Sequence, residues 1–239
     1  MSSPSPADYL FRPAISNPYP VPGARSRFSA LELKHITIAF LVLTLDMVIL
    51  LLRPTLGLPI DRSLILQTLI AAPLATATGF LAHEMGHKFS AQSRGLWSEF
   101  RMSPQGLLLG LVLSAMLGVL FATPGATMVG GRGDLREAGI TSLAGPATNL
   151  VEVGLFYGLT LAVLRVLPVG VADFWGGILL FVFFINAIYA AFNMLPMGPL
   201  DGRKVLAWNR ELWVGVFALA VVLGIYASLT LYGYLPLYG

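Results

Sequence analysis

Leu64–Phe89 has the sequence LILQTLIAAPLATATGFLAHEMGHKF, an apolar run long enough to cross a bilayer as one helix. The run ends in the motif His83-Glu84-Met85-Gly86-His87. On a helix the two histidines lie one turn apart, so both imidazoles project from one face and can bind a single zinc ion. Glu84 is adjacent and can take a proton from a water on that metal. The pattern therefore predicts a zinc site with hydrolytic chemistry in or beside lipid.

The same residues have a simpler interpretation, which is weighed against the metal site. A neutral histidine can serve as a hydrogen-bonded polar group inside a protein without binding any metal. Two histidines and a glutamate within five residues of an apolar span would, however, be costly to bury without a ligand or partner. This cost favours the metal site.

Composition places the chain in a membrane. Hydrophobic residues make up 56% of the chain and charged residues only 11%, whereas a soluble domain carries about 25% charged residues. We therefore expect an integral membrane protein surrounded by a lipid bilayer. Because the chain has no cysteine, histidine and carboxylate are the strong zinc ligands that it offers. The net charge of +3 comes with no basic cluster suited to nucleic acid, so no nucleic-acid partner is expected.

The N-terminal residues form a separate segment by composition. The first 27 residues hold Pro4, Pro6, Pro13, Pro18, Pro20 and Pro22 among scattered polar residues. They lack the apolar core and small-residue cleavage site of a signal peptide, which favours an extended or disordered tail. We expect a Pro-rich flexible tail over residues 1–30 and one transmembrane domain over residues 31–239. No internal repeat or appended soluble module is apparent.

Five apolar runs reach spanning length, at 35–53, 64–90, 139–167, 175–199 and 212–235. A sixth run, Gly106–Ala122, is barely long enough, and the distribution of positive residues tests whether it crosses. If it crosses, Lys and Arg divide almost equally between the two sides of the membrane. If it enters and returns, all of them share one side except Arg53, Arg62 and Arg165. The positive-inside rule favours the second arrangement and makes the positive side cytoplasmic.

These runs predict an all-α polytopic membrane protein with five to six transmembrane helices. A re-entrant or short β-like membrane-associated segment follows the helix that carries His83 and His87. The protein is expected in the cell membrane, with its N-terminus and the opening of the site on the cytoplasmic side. Residues 100–129 could supply a strand edge that holds an unwound substrate. The alternative is a loop that only packs against the core.

The third metal ligand is open at this point. A catalytic zinc takes three protein ligands and keeps one position for water. Soluble enzymes with a third histidine six residues after the second are excluded, because that position is Ser93. The carboxylate candidates are Glu99, Glu152, Asp46 and Asp201.

Asp201 is favoured by topology. In the five-crossing arrangement the spans that end near Lys88 and near Leu200 finish on the same side, so Asp201 could meet the histidines. Two prolines shortly before it, Pro196 and Pro199, break the helix and free a short carboxylate to turn inward. Local pattern alone fits an ordinary helix end equally well, since Asp before Gly often marks a turn.

Three motifs together resemble the site-2 protease family of intramembrane zinc metalloproteases. The first is H-E-x-x-H in a membrane span, and the second is the distant segment Asn193-Met-Leu-Pro196-Met-Gly-Pro199-Leu200-Asp201-Gly202. The third, Gly145-Pro146-Ala147-Thr148-Asn149, resembles that family's G-P-x-x-N element. The core that holds these motifs covers residues 64–204. Because no PDZ-like insert is present, the chain resembles a minimal prokaryotic-type member.

The resemblance implies His83, His87 and Asp201 as the ligands of one Zn²⁺ per chain and Glu84 as the catalytic carboxylate. It also suggests that Asn149 and Asn193 bind substrate, although both could instead form hydrogen bonds between helices. The implied activity is that of a zinc metalloendopeptidase, which hydrolyses peptide bonds in or near transmembrane segments of membrane proteins in regulated intramembrane proteolysis.

Two other functions are compatible with the same residues. A transporter or metal-handling membrane protein could use the His and Asp cluster, since intramembrane carboxylates and broken helices also mark transport pathways. A different membrane zinc protease could take Glu152 as its third ligand. The sequence specifies neither the substrate nor the oligomeric state.

Overall fold

The structure is a computed structural model that describes residues 28–53, 60–118, 124–131 and 133–231. The predicted tail over residues 1–30 therefore lies outside the described residues, except for its last three positions. The described residues form helices, one π-helical segment and two strands. In chain order these are α1 (Ala30–Leu51), α2 (Arg62–Thr76), the π segment (Ala77–Ala82), α3 (His83–Ser93), β1 (Trp97–Met102), α4 (Pro104–Leu117), β2 (Gly125–Gly130), α5 (Leu135–Val166), α6 (Val169–Asn193), α7 (Asp201–Trp208) and α8 (Arg210–Leu231).

Within the described residues, five helical rods are long and apolar enough to cross a membrane, in agreement with the five predicted crossings. They are α1, the continuous rod from α2 through the π segment to α3, α5, α6 and α8. The chain is thus an all-α polytopic membrane protein with one small two-stranded sheet. Large apolar side chains such as Leu41, Val151 and Val222 are exposed on the outer faces of these rods, as expected of helices that face lipid tails.

The fourth helix does not complete a crossing. α4 has 14 residues, which is about 21 Å of helix, whereas the hydrocarbon core is about 30 Å thick. The strands that flank it, β1 and β2, pair antiparallel, with Met102 opposite Gly125. The Ser103 amide donates to the Pro124 carbonyl at 2.8 Å. The chain therefore returns to the level at which it left, as the charge distribution of Gly106–Ala122 predicts, although residues 119–122 of that run lie outside the described part.

α4 is fixed against α1 by an arginine. The Arg53 guanidinium donates to the Ser114 carbonyl at 3.1 Å and to the Met116 carbonyl at 2.8 Å. The last carbonyls of a helix have no partner inside the helix. Arg53 therefore serves as a cap that holds the end of α4 at a defined place beside α1.

The crossing helices pack around α5 and α6. Small and branched side chains fill the space between them and their neighbours α2 and α8, among them Ala72, Val153, Phe181, Ile185 and Ala227. α5 begins with a capping box in which Asp134 accepts from the Glu137 amide and the Glu137 carboxylate accepts from the Asp134 amide. This fixes the start of the longest helix next to the site described below.

Lys88 occupies a different place from the one predicted. It was expected at the membrane boundary where the span ends, but α3 continues to Ser93 and the Lys88 side chain is fully buried. Its ammonium donates to both carboxylate oxygens of Glu32 on α1, each at 2.9 Å, and to the Ser98 carbonyl on β1 at 3.0 Å. Glu32 also accepts from the Phe100 amide at 2.9 Å. One buried ion pair thus joins α1, α3 and β1.

We expect Glu32→Ala to destabilise the protein by about 3–5 kcal/mol, because it leaves the Lys88 ammonium buried without a counter-charge. The double replacement Glu32→Leu with Lys88→Met should recover most of that loss, since no buried charge remains. Unfolding of the purified protein in detergent measures both. Glu99→Gln is the matched control: its pair with Arg101 is partly exposed, so it should change the free energy of unfolding by about 0–1 kcal/mol. Equal losses for Glu32→Ala and Glu99→Gln would contradict the assignment.

Candidate metal centre

The two motif histidines present their ring nitrogens to one point. The π segment Ala77–Ala82 directly precedes His83, and π segments of this kind are frequent at functional sites. From the first turn and a half of α3, His83 Nε2 and His87 Nε2 approach to 3.0 Å. Both side chains are buried. The spacing along the helix therefore produces the shared face that the sequence predicts.

The other ring nitrogen of each histidine has its own partner on α5. His83 Nδ1 lies 2.6 Å from Asn149 Oδ1, and His87 Nδ1 lies 2.8 Å from the Thr141 carbonyl oxygen. A carbonyl oxygen can only accept, so each Nδ1 carries the proton and donates it. In the neutral imidazole, each Nε2 then holds the lone pair and directs it at the shared point. Metal-binding histidines are held in this way by a hydrogen bond from the second nitrogen.

Asp201 completes the group from the far end of the chain. α6 ends at Asn193, and α7 begins at Asp201 itself. Asp201 Oδ2 lies 3.4 Å from His83 Nε2 and 3.1 Å from His87 Nε2. Gly202 permits this turn, because a Cβ there would overlap the Met194 carbonyl group.

The three side chains fit a zinc ion. One ligand atom each from His83, His87 and Asp201 lies within 4.8 Å of the other two. Two lone pairs and a carboxylate oxygen that face one another in a buried site repel, unless a cation lies among them. Two histidines and one carboxylate are also a known ligand set of catalytic zinc.

The other carboxylates considered from the sequence lie elsewhere. Glu99 is in β1 and pairs with Arg101. Asp46 is in α1 and Glu152 in α5, and neither belongs to the cluster that the described residues form around the histidines. Among the described carboxylates, Asp201 is the one that the fold brings to the imidazoles.

A cavity of about 200 Å³ lies against these residues. Its polar lining includes His83, Glu84, His87 and Asp201, and the exposed residues Pro199 and Lys204 mark where it meets the surface. Most of its remaining walls are apolar and come from the π segment, β2, α6 and the residues just before α7; they include Phe80, Val129, Ile188, Phe192 and Leu200. The candidate metal centre is therefore reachable by a small molecule or an extended peptide segment.

Glu84 is held by β2. Its Oε2 accepts from the Thr127 amide at 2.9 Å and from the Thr127 hydroxyl at 2.7 Å. The carboxylate lines the same cavity as the two histidines. These two hydrogen bonds fix the orientation of the Glu84 carboxylate inside the cavity.

The two asparagines take different positions. Asn149 is fully buried behind His83, and its amide bonds to His83, Gly79 and Asn186. It does not line the cavity, so its contacts are those of a helix–helix hydrogen bond rather than of a substrate contact. Asn193 does line the cavity, and its amide donates to the Tyr189 carbonyl at 3.0 Å.

Sequence reasoning missed the residues that support the motif. Thr127, Thr141, Asn186 and the π segment belong to no recognisable motif. The glycines at both ends of β2, Gly125 and Gly130, are a weak indication that another group approaches this strand, and hence of a role for Thr127. Thr141 acts through its backbone carbonyl, which any residue type could supply, so the sequence carries no signal for that contact.

Comparisons with known proteins give two relatives that are named as zinc metalloproteases. The chain is 40% identical over 147 residues to "Putative zinc metalloprotease MJ0611" of Methanocaldococcus jannaschii, which covers 60% of this chain and 73% of that relative. It is 36% identical over 136 residues to "Putative zinc metalloprotease Rip2" of Mycolicibacterium smegmatis, which covers 52% of this chain and 51% of that relative. The chain belongs to the site-2 protease-like family of zinc metalloproteases.

Membership in this family, together with the five apolar rods, makes the chain a multi-pass membrane zinc metalloprotease. Zinc is accordingly its metal, and the cluster of His83, His87 and Asp201 could hold it. No family model matches the chain, and no solved structure gives a significant match.

We expect Gly145→Ala to abolish zinc binding. A Cβ at Gly145 would lie 2.6 Å from His83 Nε2 and closer still to His87 Nε2, so it would push against the atoms that hold the metal. Zinc content of the purified protein, measured by elemental analysis, should fall close to zero.

Gly158→Ala is the matched control for this prediction. Gly158 lies on the same helix with nothing within 4 Å of an added Cβ, so zinc content should stay unchanged. Circular dichroism should show both variants equally helical. Full zinc content in Gly145→Ala would show that the metal is bound elsewhere.

Proposed function

We propose that this chain is an intramembrane zinc metalloendopeptidase that hydrolyses peptide bonds in or near transmembrane segments of membrane proteins. One observation carries the proposal: His83, His87, Asp201 and Glu84 line a single cavity inside a bundle of five apolar rods. A protease site in that position is suited to chains that are themselves embedded in lipid. We include in the proposal the zinc-ligand role of the first three residues and the catalytic role of Glu84.

The mechanism follows from the position of each group. His83, His87 and Asp201 would hold zinc, which when bound lowers the pKa of a water and polarises a peptide carbonyl. Glu84 accepts the proton that the attacking water loses and returns it to the amine nitrogen as the peptide bond breaks. Thr127 holds the Glu84 carboxylate in place through two hydrogen bonds to Oε2.

Purified enzyme should cleave test proteins that contain a single transmembrane helix, and Glu84→Gln should slow this cleavage by about 10²–10⁴-fold, the usual contribution of a general base. Zinc content should be retained, because Glu84 is not one of the three proposed ligands. Gel analysis of cleavage products and elemental analysis of zinc measure the two effects separately.

Glu152→Gln is the matched control, because it makes the same chemical change in another span. We expect unchanged cleavage and unchanged zinc content. Loss of zinc in Glu152→Gln would favour Glu152 as the third ligand, and metal binding without any cleavage by wild-type protein would favour a metal-handling or transport function.

The outer edge of β2 is our proposed binding surface for the substrate. The Thr127 amide donates to Glu84 and therefore points away from β1. Just before β2 begins, the Pro124 carbonyl accepts from the Ser103 amide at the end of β1 and therefore points toward it. Backbone groups in an antiparallel strand alternate between the partner strand and the opposite edge. Ala126 and Met128 therefore face β1, while Gly125, Thr127 and Val129 direct their backbone groups away from it.

This edge borders the cavity, because Gly125, Thr127 and Val129 are all among its lining residues. A substrate helix hides its carbonyls in internal hydrogen bonds and must unwind before hydrolysis. An unwound segment can pair with a strand edge through its backbone, independently of its side chains. The geometry thus supports binding of an extended substrate alongside β2 and next to Glu84.

We expect Val129→Pro to lower kcat/KM by about 2–13-fold, the value of one net hydrogen bond, because it removes an amide donor from the outer edge. The β1–β2 ladder should persist, since that amide points away from β1. Val129→Ala is the control for the lost side chain and should cleave faster than the proline variant. Equal kcat/KM for the two variants would mean that this edge does not bind substrate.

We further propose that the cavity opens toward the cytoplasm. It meets the surface beside the exposed residue Lys204, next to Arg203, on the side of the membrane to which the positive-inside rule assigns most Lys and Arg. Water would reach the site from this side. Lys88, near which the sequence ends the histidine-bearing span on this same side, is buried and does not line the cavity.

A further inference from the structure

We infer that Asn186 and Thr78 are positioning residues that act through Asn149 to fix the proton on His83 Nδ1 and so direct His83 Nε2 toward the metal. This inference rests on the proposed zinc site. Neither residue lines the cavity, and neither belongs to the motifs that carry the family resemblance.

A continuous chain of buried hydrogen bonds links these residues. Asn149 Oδ1 lies 2.6 Å from His83 Nδ1, and Asn149 Nδ2 donates to Asn186 Oδ1 at 2.9 Å. Asn186 Nδ2 in turn donates to Thr78 Oγ1 at 2.9 Å. Asn149 and Asn186 are both fully buried, so water does not replace any missing partner.

The chain admits one orientation of each amide. Asn149 Nδ2 has two protons, and their acceptors are the Gly79 carbonyl at 3.1 Å and Asn186 Oδ1. Asn186 Nδ2 likewise has two acceptors, Thr78 Oγ1 and the Val182 carbonyl at 3.0 Å. If either amide rotated by 180°, two donors or two acceptors would face one another in a buried site, which is costly.

The orientation of Asn149 decides the state of His83. Because Asn149 Oδ1 is an acceptor, the proton of the neutral imidazole sits on Nδ1, and Nε2 keeps the lone pair that a metal needs. Removing the Asn186 amide would leave the Gly79 carbonyl as the one acceptor of Asn149 Nδ2, so a rotated Asn149 that presents Nδ2 to His83 would cost less free energy. The imidazole would then favour the opposite tautomer, with its proton on the nitrogen that should bind zinc.

The π segment takes part in this arrangement. The Gly79 carbonyl that accepts from Asn149 lies within Ala77–Ala82, and Thr78 lies in the same segment. Asn149 and Asn186 therefore each donate a hydrogen bond to the π segment that immediately precedes His83. The widened turn and the two asparagines together set how the histidine face of α3 is presented.

Asn186→Leu tests the inference, because it keeps the size of the side chain and removes the amide. Zinc affinity, measured by competition with a coloured chelator, should fall about 10–100-fold, as is usual when a partner of a metal-binding histidine is lost. The visible absorption spectrum of the Co²⁺-substituted protein should also change, because it reports the geometry of the ligands rather than overall stability.

Thr78→Val is a second variant that disturbs the network less, because it leaves Asn186 and Asn149 in place. We expect a smaller loss of zinc affinity, about 2–13-fold for one hydrogen bond. Thr78→Val also replaces Asn186→Leu as the test if the latter variant does not fold. Thr160→Val is the matched control: Thr160 is a buried threonine whose hydroxyl bonds only within α5, to the Phe156 carbonyl at 2.7 Å, and zinc affinity should not change.

The outcomes separate this inference from the proposed function. Suppose that wild-type protein binds zinc and cleaves substrate. If Asn186→Leu then binds zinc as tightly as Thr160→Val, the positioning role is wrong and the proposed function stands. Where Asn186→Leu does not fold, Thr78→Val takes its place in this comparison. If wild-type protein binds no zinc, the proposed metal site itself is wrong. A weakened zinc affinity with an altered Co²⁺ spectrum and an unchanged Thr160→Val would support the positioning role.

Discussion

Electrostatic repulsion among three electron-rich atoms governs this structure. Two imidazole lone pairs and an ionised carboxylate meet inside a helix bundle, within 4.8 Å of one another, where little water can screen them. A cation among its members relieves this repulsion. Three features let the three side chains meet: Gly145 has no side chain to overlap the imidazoles, α6 ends at Asn193, and the chain turns closely at Gly202.

α5 acts as the frame for the site. It supplies the partners of both histidines, through the Asn149 side chain and the Thr141 carbonyl, and it passes beneath them at Gly145. The Glu84 carboxylate is held separately, by Thr127 on the hairpin. Metal ligands and proposed base therefore depend on different elements, so that the metal site is tied to the rigid bundle and the base to the strand that borders the cavity.

The sequence predicts the parts of this protein that follow from hydropathy and helical spacing. Five crossings, the return of the Gly106–Ala122 run and the shared face of His83 and His87 need only those patterns. The burial of Lys88 was not predictable, because its partner Glu32 lies 56 residues earlier and only the tertiary structure joins them. The place of Asn149 behind His83, and the whole network through Asn186, likewise depend on how α5 and α6 pack against the π segment.

The pair between Lys88 and Glu32 has a consequence for biosynthesis. An ammonium group entering the hydrocarbon layer by itself is strongly disfavoured, and here its counter-charge belongs to a helix made earlier. Chains emerge from the ribosome N-terminus first, so the carboxylate is already inserted when the metal-binding rod arrives. The order of the helices along the chain thus lets the span that carries Lys88 meet the carboxylate that neutralises it.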